Sequence, residues 1–364
     1  MTFAWTRTRC SPIAIDFGAH SLKLLQIMPS AVGVSIGPPQ MIAAAAVQVP
    51  SELRSDSSAR YQFYADSLKE LIKKHPFTGN QAITTTPGHQ TLIQHLQLSG
   101  SDAIDLDLQI ADELRERMNV EPSRMVVRHF PVGTFVRGGS PRQEVICVAA
   151  SRDVVMQQIQ SAAHAGLEIV DMTCESQAIL KAFSHLYRRD SDAERATCFI
   201  DMGAATAKII VAHGTNMVCA KTVWIDEMIS SAEENDFDTA PSQLNAPRGQ
   251  SGLAVLETPD TAQTASPPDD EITACLIEEL QLCLRYHQTM FPDHTIEKLV
   301  FLGGGSRQVQ RCQAIAQALQ ISAQLGDPLA RLGRPQGAIP PSGLDMRQTQ
   351  PGWAVPMGMC LSCS

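Results

Sequence analysis

The stretch Ile15-Asp16-Phe17-Gly18-Ala19-His20-Ser21-Leu22-Lys23 returns past the middle of the chain as Ile200-Asp201-Met202-Gly203-Ala204-Ala205-Thr206-Ala207-Lys208. Both copies read I-D-x-G-A-x-[ST]-x-K, with five identities and one Ser/Thr match. In each copy an apolar run ends at the aspartate, the glycine opens a tight turn and a second apolar run follows, which predicts a β-hairpin. Self-similarity of this kind indicates a chain built from two equivalent halves.

A hairpin of this composition is suited to binding an anion. Glycine lets the backbone approach a phosphate, the N–H groups of the turn and the Ser or Thr hydroxyl can donate to it, and the lysine adds positive charge. The aspartate would hold a metal ion through water. Either copy alone could be a plain hairpin with a polar turn, and the shared spacing is what favours binding. The residues concerned are Asp16, Gly18, Ser21 and Lys23 in the first hairpin and Asp201, Gly203, Thr206 and Lys208 in the second.

A third element is a predicted strand at 298–302, followed by a glycine turn and a helix. The turn reads Gly303-Gly304-Gly305-Ser306. Three glycines allow a nucleobase or ribose to lie against bare backbone, and Ser306 is predicted to cap the helix and leave its first N–H groups facing the ligand. A lone glycine run is weak evidence, but this one follows the two hairpins in order.

Together these elements resemble the actin, Hsp70 and sugar-kinase ATPase superfamily, and within it the PilM family of type IV pilus assembly proteins. The resemblance implies an α/β fold of duplicated actin-like (ribonuclease H-like) domains with an inserted small α+β subdomain. It spans nearly the whole chain apart from 233–270. The block V-I-C-V-A-A-S-R-D-V-V, with the later A-G-L and E-S-x-A, is more characteristic of PilM than of the wider superfamily. The blocks that carry the resemblance are 15–27, 145–155, 165–179, 199–206 and 301–306.

The resemblance and the hydrophobic pattern divide the chain into six parts. Residues 233–270 are rich in Pro, Ser, Thr, Ala, Gln and Asp, which predicts a disordered acidic insertion. The parts are 11–80, the N-terminal part of the first actin-like domain; 81–150, the inserted small subdomain; 151–190, the remainder of the first domain and connecting helices; 191–232, the second actin-like domain; 233–270, the insertion; and 271–364, the remainder of the second domain.

The net charge belongs largely to one segment. The 364-residue chain has a formal charge of −9, which by itself argues weakly against binding to nucleic acid. Between Asp226 and Glu271, however, eleven acidic residues stand against the single basic Arg248. The rest of the chain is therefore close to neutral, and its charge does not argue against an anionic small ligand.

No part of the sequence reads as a membrane span or a secretion signal. The most apolar stretches are far shorter than the roughly 18 residues that cross a bilayer, and the first residues lack a signal-peptide pattern. Ten cysteines are mostly scattered through apolar runs, which favours reduced thiols in the cytoplasm. For the pair Cys360 and Cys363 we predict a frayed tail in preference to a metal or redox site.

The resemblance implies a cytoplasmic scaffold that binds ATP and Mg²⁺, with Asp16 and Asp201 holding the metal through water. Its implied partner is the N-terminal cytoplasmic peptide of a PilN-like inner-membrane protein, held in a groove between the first and the inserted subdomains. Further pilus or secretion platform proteins are possible partners, and membrane association would come only through partners. Nucleic acid is not expected as a partner.

Glu175 matches the position of the acid that orients the attacking water in many ATPases of the superfamily. The alternative is a glutamate favoured there by the helix dipole. Ala204 and Ala205 replace glycines found in chaperone-type ATPases, so ATP binding with weak or no hydrolysis is expected. The alternative function is a small-molecule kinase or phosphotransferase, but no carboxylate base for it is marked by spacing. An actin-like division filament would need a terminal amphipathic helix, which 353–364 does not supply.

Overall fold

The computed structural model describes residues 10–29, 37–99, 103–118, 121–137, 139–225, 252–256, 271–333 and 341–362. The strands are β1 (Ile13–Phe17), β2 (Ser21–Met28), β3 (Gln40–Gln48), β4 (Gln81–Thr86), β5 (Thr91–Leu98), β6 (Met125–Arg137), β7 (Ser140–Ser151), β8 (Glu168–Cys174), β9 (Ala196–Met202), β10 (Thr206–His213), β11 (Asn216–Trp224), β12 (Leu253–Val255), β13 (Ile296–Leu302) and β14 (Ala323–Gly326). The helices are α1 (Ser57–Lys74), α2 (Ala103–Met118), α3 (Arg152–His164), α4 (Glu175–Ala182), α5 (Glu271–Met290), α6 (Val309–Leu319) and α7 (Ala354–Ser362).

Two of the three sheets repeat one strand order. The first runs β3-β2-β1-β4-β8, and the second runs β11-β10-β9-β13-β14 with β12 added at its edge. In both, three antiparallel strands are followed by two that join in parallel. The helices follow the same order, so α1, α3 and α4 of the first half correspond to α5, α6 and α7 of the second. The predicted α/β fold of two duplicated domains is confirmed.

The inserted subdomain consists of helix α2 and the sheet β5-β7-β6. The apolar face of α2 packs against this sheet through Leu106, Ile110 and Leu114. The predicted boundary at 81 is too early, because β4 pairs in parallel with both β1 and β8 and so belongs to the first sheet. The subdomain begins only after this central strand ends at Thr86.

The helices form layers around the two large sheets. Helices α1 and α3 cover one face of the first sheet, and α5 and α6 cover one face of the second. The middle layer, α4 and α7, lies between the sheets, where the largest apolar cluster includes Phe183, Phe199 and Trp353. This shared core joins the two halves directly below the ends of strands β1 and β9.

Residues 354–362 do not form the predicted frayed tail. They form α7, and Cys360 is fully buried with its thiol donating to the Leu25 carbonyl at 3.4 Å. Helix α7 therefore packs on the first domain, although it completes the second half of the repeat. The prediction failed because this segment is apolar on all sides, so it shows no amphipathic period. Cys363 lies outside the described residues.

The predicted disordered insertion lies mostly outside the described residues. Within 233–270 the structure describes 252–256, where strand β12 pairs antiparallel with β14. The prediction of disorder is wrong for these five residues. The nine described cysteines are free thiols. Among the described helices, none combines the length and apolar character needed to cross a membrane.

Candidate functional site

The two repeated hairpins fold alike. In the first turn the Gly18 N–H donates to the Ser21 carbonyl at 3.1 Å, and in the second the Gly203 N–H donates to the Thr206 carbonyl at 2.9 Å. In each hairpin the aspartate at the end of the first strand lies opposite the lysine of the second strand. The Tyr64 hydroxyl on α1 donates to the Gly18 carbonyl at 2.8 Å and fixes the first turn from behind.

Both hairpins open onto one cleft between the two domains. The structure brings twelve of the thirteen predicted site residues to the walls of this cleft. They are Asp16, Gly18, Ser21, Lys23, Glu175, Asp201, Gly203, Thr206, Lys208, Gly303, Gly304 and Gly305.

The thirteenth residue, Ser306, lies behind the glycine turn. It is fully buried, and its hydroxyl donates to the Gly303 carbonyl at 2.7 Å. Helix α6 begins only at Val309, preceded by Gln308, so the predicted capping role of Ser306 is wrong. A short 3₁₀ turn over Gly304–Arg307 separates the strand from the helix. Ser306 therefore holds the shape of the turn and does not present the helix N-terminus to the cleft.

A buried ion pair crosses the floor of the cleft. The Lys208 Nζ lies 2.8 Å from the Glu175 Oε2 and 3.1 Å from the Asp201 Oδ2. All three side chains are at most 11% exposed. Glu175 is the first residue of α4 in the first domain, whereas Asp201 and Lys208 belong to the second. The lysine consequently ties the two domains together through the bottom of the cleft.

Burial and charge act in opposite directions on these groups. Burial raises the pKa of Glu175 to about 7, although Lys208 pulls it down. Burial also raises the pKa of Asp16 above its usual range, although the positive charges of Lys23 and Lys208 lower it in part. For Lys208 burial lowers the pKa, but Glu175 and Asp201 outweigh it and the net pKa is raised. Lys208 therefore stays charged while Glu175 titrates near neutrality.

The raised pKa of Glu175 predicts a distinctive pH dependence of stability. Between about 4.5, the ordinary value, and about 7, the native state holds a proton that the unfolded chain has lost. The contribution of Glu175 to the free energy of unfolding is therefore complete below the unfolded-state pKa. It is lost as the pH rises through the folded-state pKa, by up to about 1.4 kcal/mol per pH unit. Urea unfolding at pH 5, 6 and 7 should show wild type losing stability relative to Glu175→Gln. If the free energies of unfolding of wild type and Glu175→Gln change with pH in the same way, the pKa of Glu175 is not raised.

The two equivalent lysines have different partners. Lys23 donates to the Gly352 carbonyl at 3.0 Å, in the loop before α7. Its cross-strand aspartate, Asp16, is only 7% exposed. The two hairpins thus share a backbone but not a charge arrangement, and the difference arises from the segments that pack against them.

Two groups of cleft residues were missed by sequence reasoning. One is the turn Pro87-Gly88-His89 after β4, and the other is Gly352 with Ala354 and Val355 at the start of α7. The duplicated topology could have found the first, because the turn after β4 occupies the place that the glycine turn after β13 holds in the other half. Its sequence has one glycine where the other turn has three, so only the strand order reveals the equivalence.

His89 is a neutral member of this wall. Burial lowers its pKa to about 4, with further lowering by Arg60 and Lys208. The Arg60 Nη2 lies 3.4 Å from the His89 Nε2. Because a guanidinium can only donate, the Nε2 of the neutral ring accepts from Arg60 and the Nδ1–H is left to donate to a ligand. His89 therefore adds hydrogen-bonding capacity without adding charge.

The predicted magnesium ion does not fit the arrangement at Asp201. The place beside this carboxylate is filled by the Lys208 ammonium, which also compensates the charge of Glu175. No three His, Cys, Asp or Glu side chains of the described ranges are grouped so that they could hold a metal. The geometry fits an internal ammonium group in the position where a divalent cation was expected.

Comparison with one solved structure supports the fold over nearly the entire chain. A solved structure described as a PilM-PilN type IV pilus biogenesis complex is similar with a TM-score of 0.70 and 18% identity, covering 97% of this chain and 98% of that one. The ethanolamine utilization protein EutJ from Carboxydothermus hydrogenoformans gives 0.47 and 12%, covering 97% and 89%. A Bacteroides thetaiotaomicron protein with an actin-like ATPase fold and unknown function gives 0.47 and 9%, covering 100% of both. No protein-family model and no curated protein sequence matches the chain.

Proposed function

We propose that this protein is a cytoplasmic, PilM-like nucleotide-binding scaffold that docks the cytoplasmic tail of a PilN-like inner-membrane protein. The observation that carries the proposal is the likeness, at a TM-score of 0.70 over nearly all of both chains, to a structure that contains PilM with PilN. In this role the protein lies at the inner membrane of a pilus or related secretion machine through its partners.

Nucleotide binding is supported by the construction of the cleft. Two glycine turns at the ends of β1 and β9 present backbone N–H groups, with the Ser21 and Thr206 positions beside them. Lys23 and Lys208 supply positive charge on opposite sides. The glycine turn after β13 offers bare backbone for a ribose or base. ATP is the ligand whose phosphates, ribose and base can contact both hairpin turns and the glycine turn.

A scaffold is favoured over a kinase by the state of the cleft carboxylates. A phosphotransferase needs a carboxylate free to take the proton of the attacking hydroxyl. The described cleft wall contains Asp16, Glu175 and Asp201. Lys208 contacts Glu175 and Asp201, so we expect neither of these two to act as that base.

The tail would dock at the junction of α3 and the inserted subdomain. The Arg152 Nε donates to the Ser123 carbonyl across this junction at 2.8 Å. Met156 lies one helical turn further along the same face of α3, and it is 48% exposed. Val126, three residues beyond Ser123 on β6, is 37% exposed. Two exposed apolar side chains beside a polar contact between subdomains form a surface suited to an apolar peptide.

Met156→Glu should weaken tail binding, because it places a charge in an apolar contact. We expect the dissociation constant of a synthetic peptide with the N-terminal cytoplasmic sequence of the PilN-like protein to rise at least about tenfold, the effect of a hot-spot residue. Isothermal titration calorimetry with the full chain measures it. Leu282→Glu is the matched control, because Leu282 is also 48% exposed but lies on α5 in the second domain. Equal effects of the two variants, or none from either, would exclude this junction.

A further inference from the structure

We infer that Lys208 is the resident cation of the cleft, so that ATP binds without a divalent metal ion. The inference rests on the proposed nucleotide function and specifies how charge is balanced at that site. It departs from what the superfamily resemblance implies, namely a magnesium ion held by Asp16 and Asp201.

The contacts of Lys208 leave one donor for a ligand. A lysine ammonium has three N–H donors. One of them donates to the Asp201 Oδ2 at 3.1 Å, and the ammonium forms an ion pair with the Glu175 Oε2 at 2.8 Å. A remaining N–H is available to a phosphate oxygen in the cleft that Lys208 lines. The ammonium thus bridges two carboxylates and a phosphate, which is the electrostatic task of a divalent ion at such a site.

The repeat provides an internal comparison. Lys23 has the same position in the first hairpin, opposite Asp16, yet it donates to the Gly352 carbonyl. The hairpin itself therefore does not dictate that its lysine bridges two carboxylates. What distinguishes Lys208 is Glu175, which enters from the other domain at the start of α4.

The backbone on the opposite wall makes room for the lysine stem. A Cβ atom at Gly88 would lie 2.4 Å from the Lys208 Cε and 2.8 Å from the Glu175 Oε2. Any side chain at 88 would push the ammonium away from its partners. The turn after β4 is therefore shaped around the ion pair, and the placement of Lys208 is built by three separate segments of the fold.

The charge balance of the cleft agrees with this role. Lys23 faces the same cleft. The phosphates of ATP can then be compensated by the two lysines.

The test is a fluorescence titration of the full chain with N-methylanthraniloyl-ATP, in excess MgCl₂ and in excess EDTA. Wild type should bind with dissociation constants that agree within about twofold. A wild-type affinity at least tenfold tighter in MgCl₂ would overturn the inference while leaving nucleotide binding intact. Absence of binding in both buffers would instead remove the proposed nucleotide function.

Variants identify the cation. Lys208→Met should bind at least tenfold more weakly in EDTA and recover in MgCl₂, because the freed carboxylates can then hold the metal. Gly88→Ala keeps the lysine but displaces its ammonium group, so its ATP affinity in EDTA should fall as that of Lys208→Met does. This variant provides the test if Lys208→Met does not fold. Lys221→Met is the control, because it breaks the Lys221–Glu279 ion pair outside the cleft. If Lys208→Met and Gly88→Ala bind like Lys221→Met in EDTA, Lys208 is not the cation.

Discussion

Gly358→Ala should lower the free energy of unfolding by about 3 kcal/mol, the upper end of what overpacking causes. The added Cβ would lie 1.7 Å from the Ala178 carbonyl oxygen, where α7 crosses α4 between the two sheets. In an exposed helix the same substitution stabilises by roughly 1 kcal/mol. The sign of the effect therefore reports directly on the close contact of these two helices. Chemical denaturation of both proteins measures it.

Gly133→Ala serves as the reference for this variant. Gly133 lies on β6, and nothing is within 4 Å of the place that its Cβ would take. We expect a change within about 0.5 kcal/mol, as for ordinary surface substitutions. A Gly358→Ala protein as stable as this reference would mean that α7 does not pack against α4 as described.

Gly303→Ala should reduce both stability and ATP affinity. The residue has φ of +79°, and its Cβ would meet the Met202 carbonyl oxygen at 2.2 Å and the Asp201 Oδ1 at 2.8 Å. The positive φ alone costs on the order of 1–3 kcal/mol, and relief of the contact must move the end of β9 with Asp201. We expect ATP affinity at least tenfold weaker, which corresponds to about 1.4 kcal/mol. Nucleotide titration is done at a temperature where circular dichroism shows the variant folded.

Gly166→Ala separates backbone strain from contact. Gly166 has φ of +80°, nearly the same as Gly303, and nothing lies within 4 Å of its Cβ position. It should lose stability through strain alone and keep wild-type ATP affinity. If both glycine variants bound ATP equally well, the turn after β13 would not form a wall of the nucleotide site.

The repeated I-D-x-G-A-x-[ST]-x-K motif was sufficient to predict both hairpins and the duplicated fold. It succeeds because the aspartate, the glycine turn and the following strand are local features, set by neighbouring residues. The same locality explains why the glycine turn at Gly303 was found. Most predicted site residues meet in one cleft because the two halves face each other with equivalent strand ends.

What the sequence could not predict depends on contacts between distant segments. Lys23 and Lys208 are indistinguishable within their motifs, yet only Lys208 meets Glu175. The turn at Gly88 shares a single glycine with its counterpart at Gly303–Gly305, so its place in the cleft is evident only from the topology. The sequence does not predict helix α7, because a helix that is buried on nearly all sides lacks the polar face by which an amphipathic helix is identified.

We propose that this chain binds a membrane protein's cytoplasmic tail as a nucleotide-loaded scaffold. The most direct measurement is calorimetric titration of the synthetic PilN-like N-terminal peptide into the full chain, with and without ATP. We predict binding at micromolar concentration, with an affinity that changes when ATP is present because the cleft joins the two domains. No binding at micromolar peptide concentrations in either condition would contradict the account.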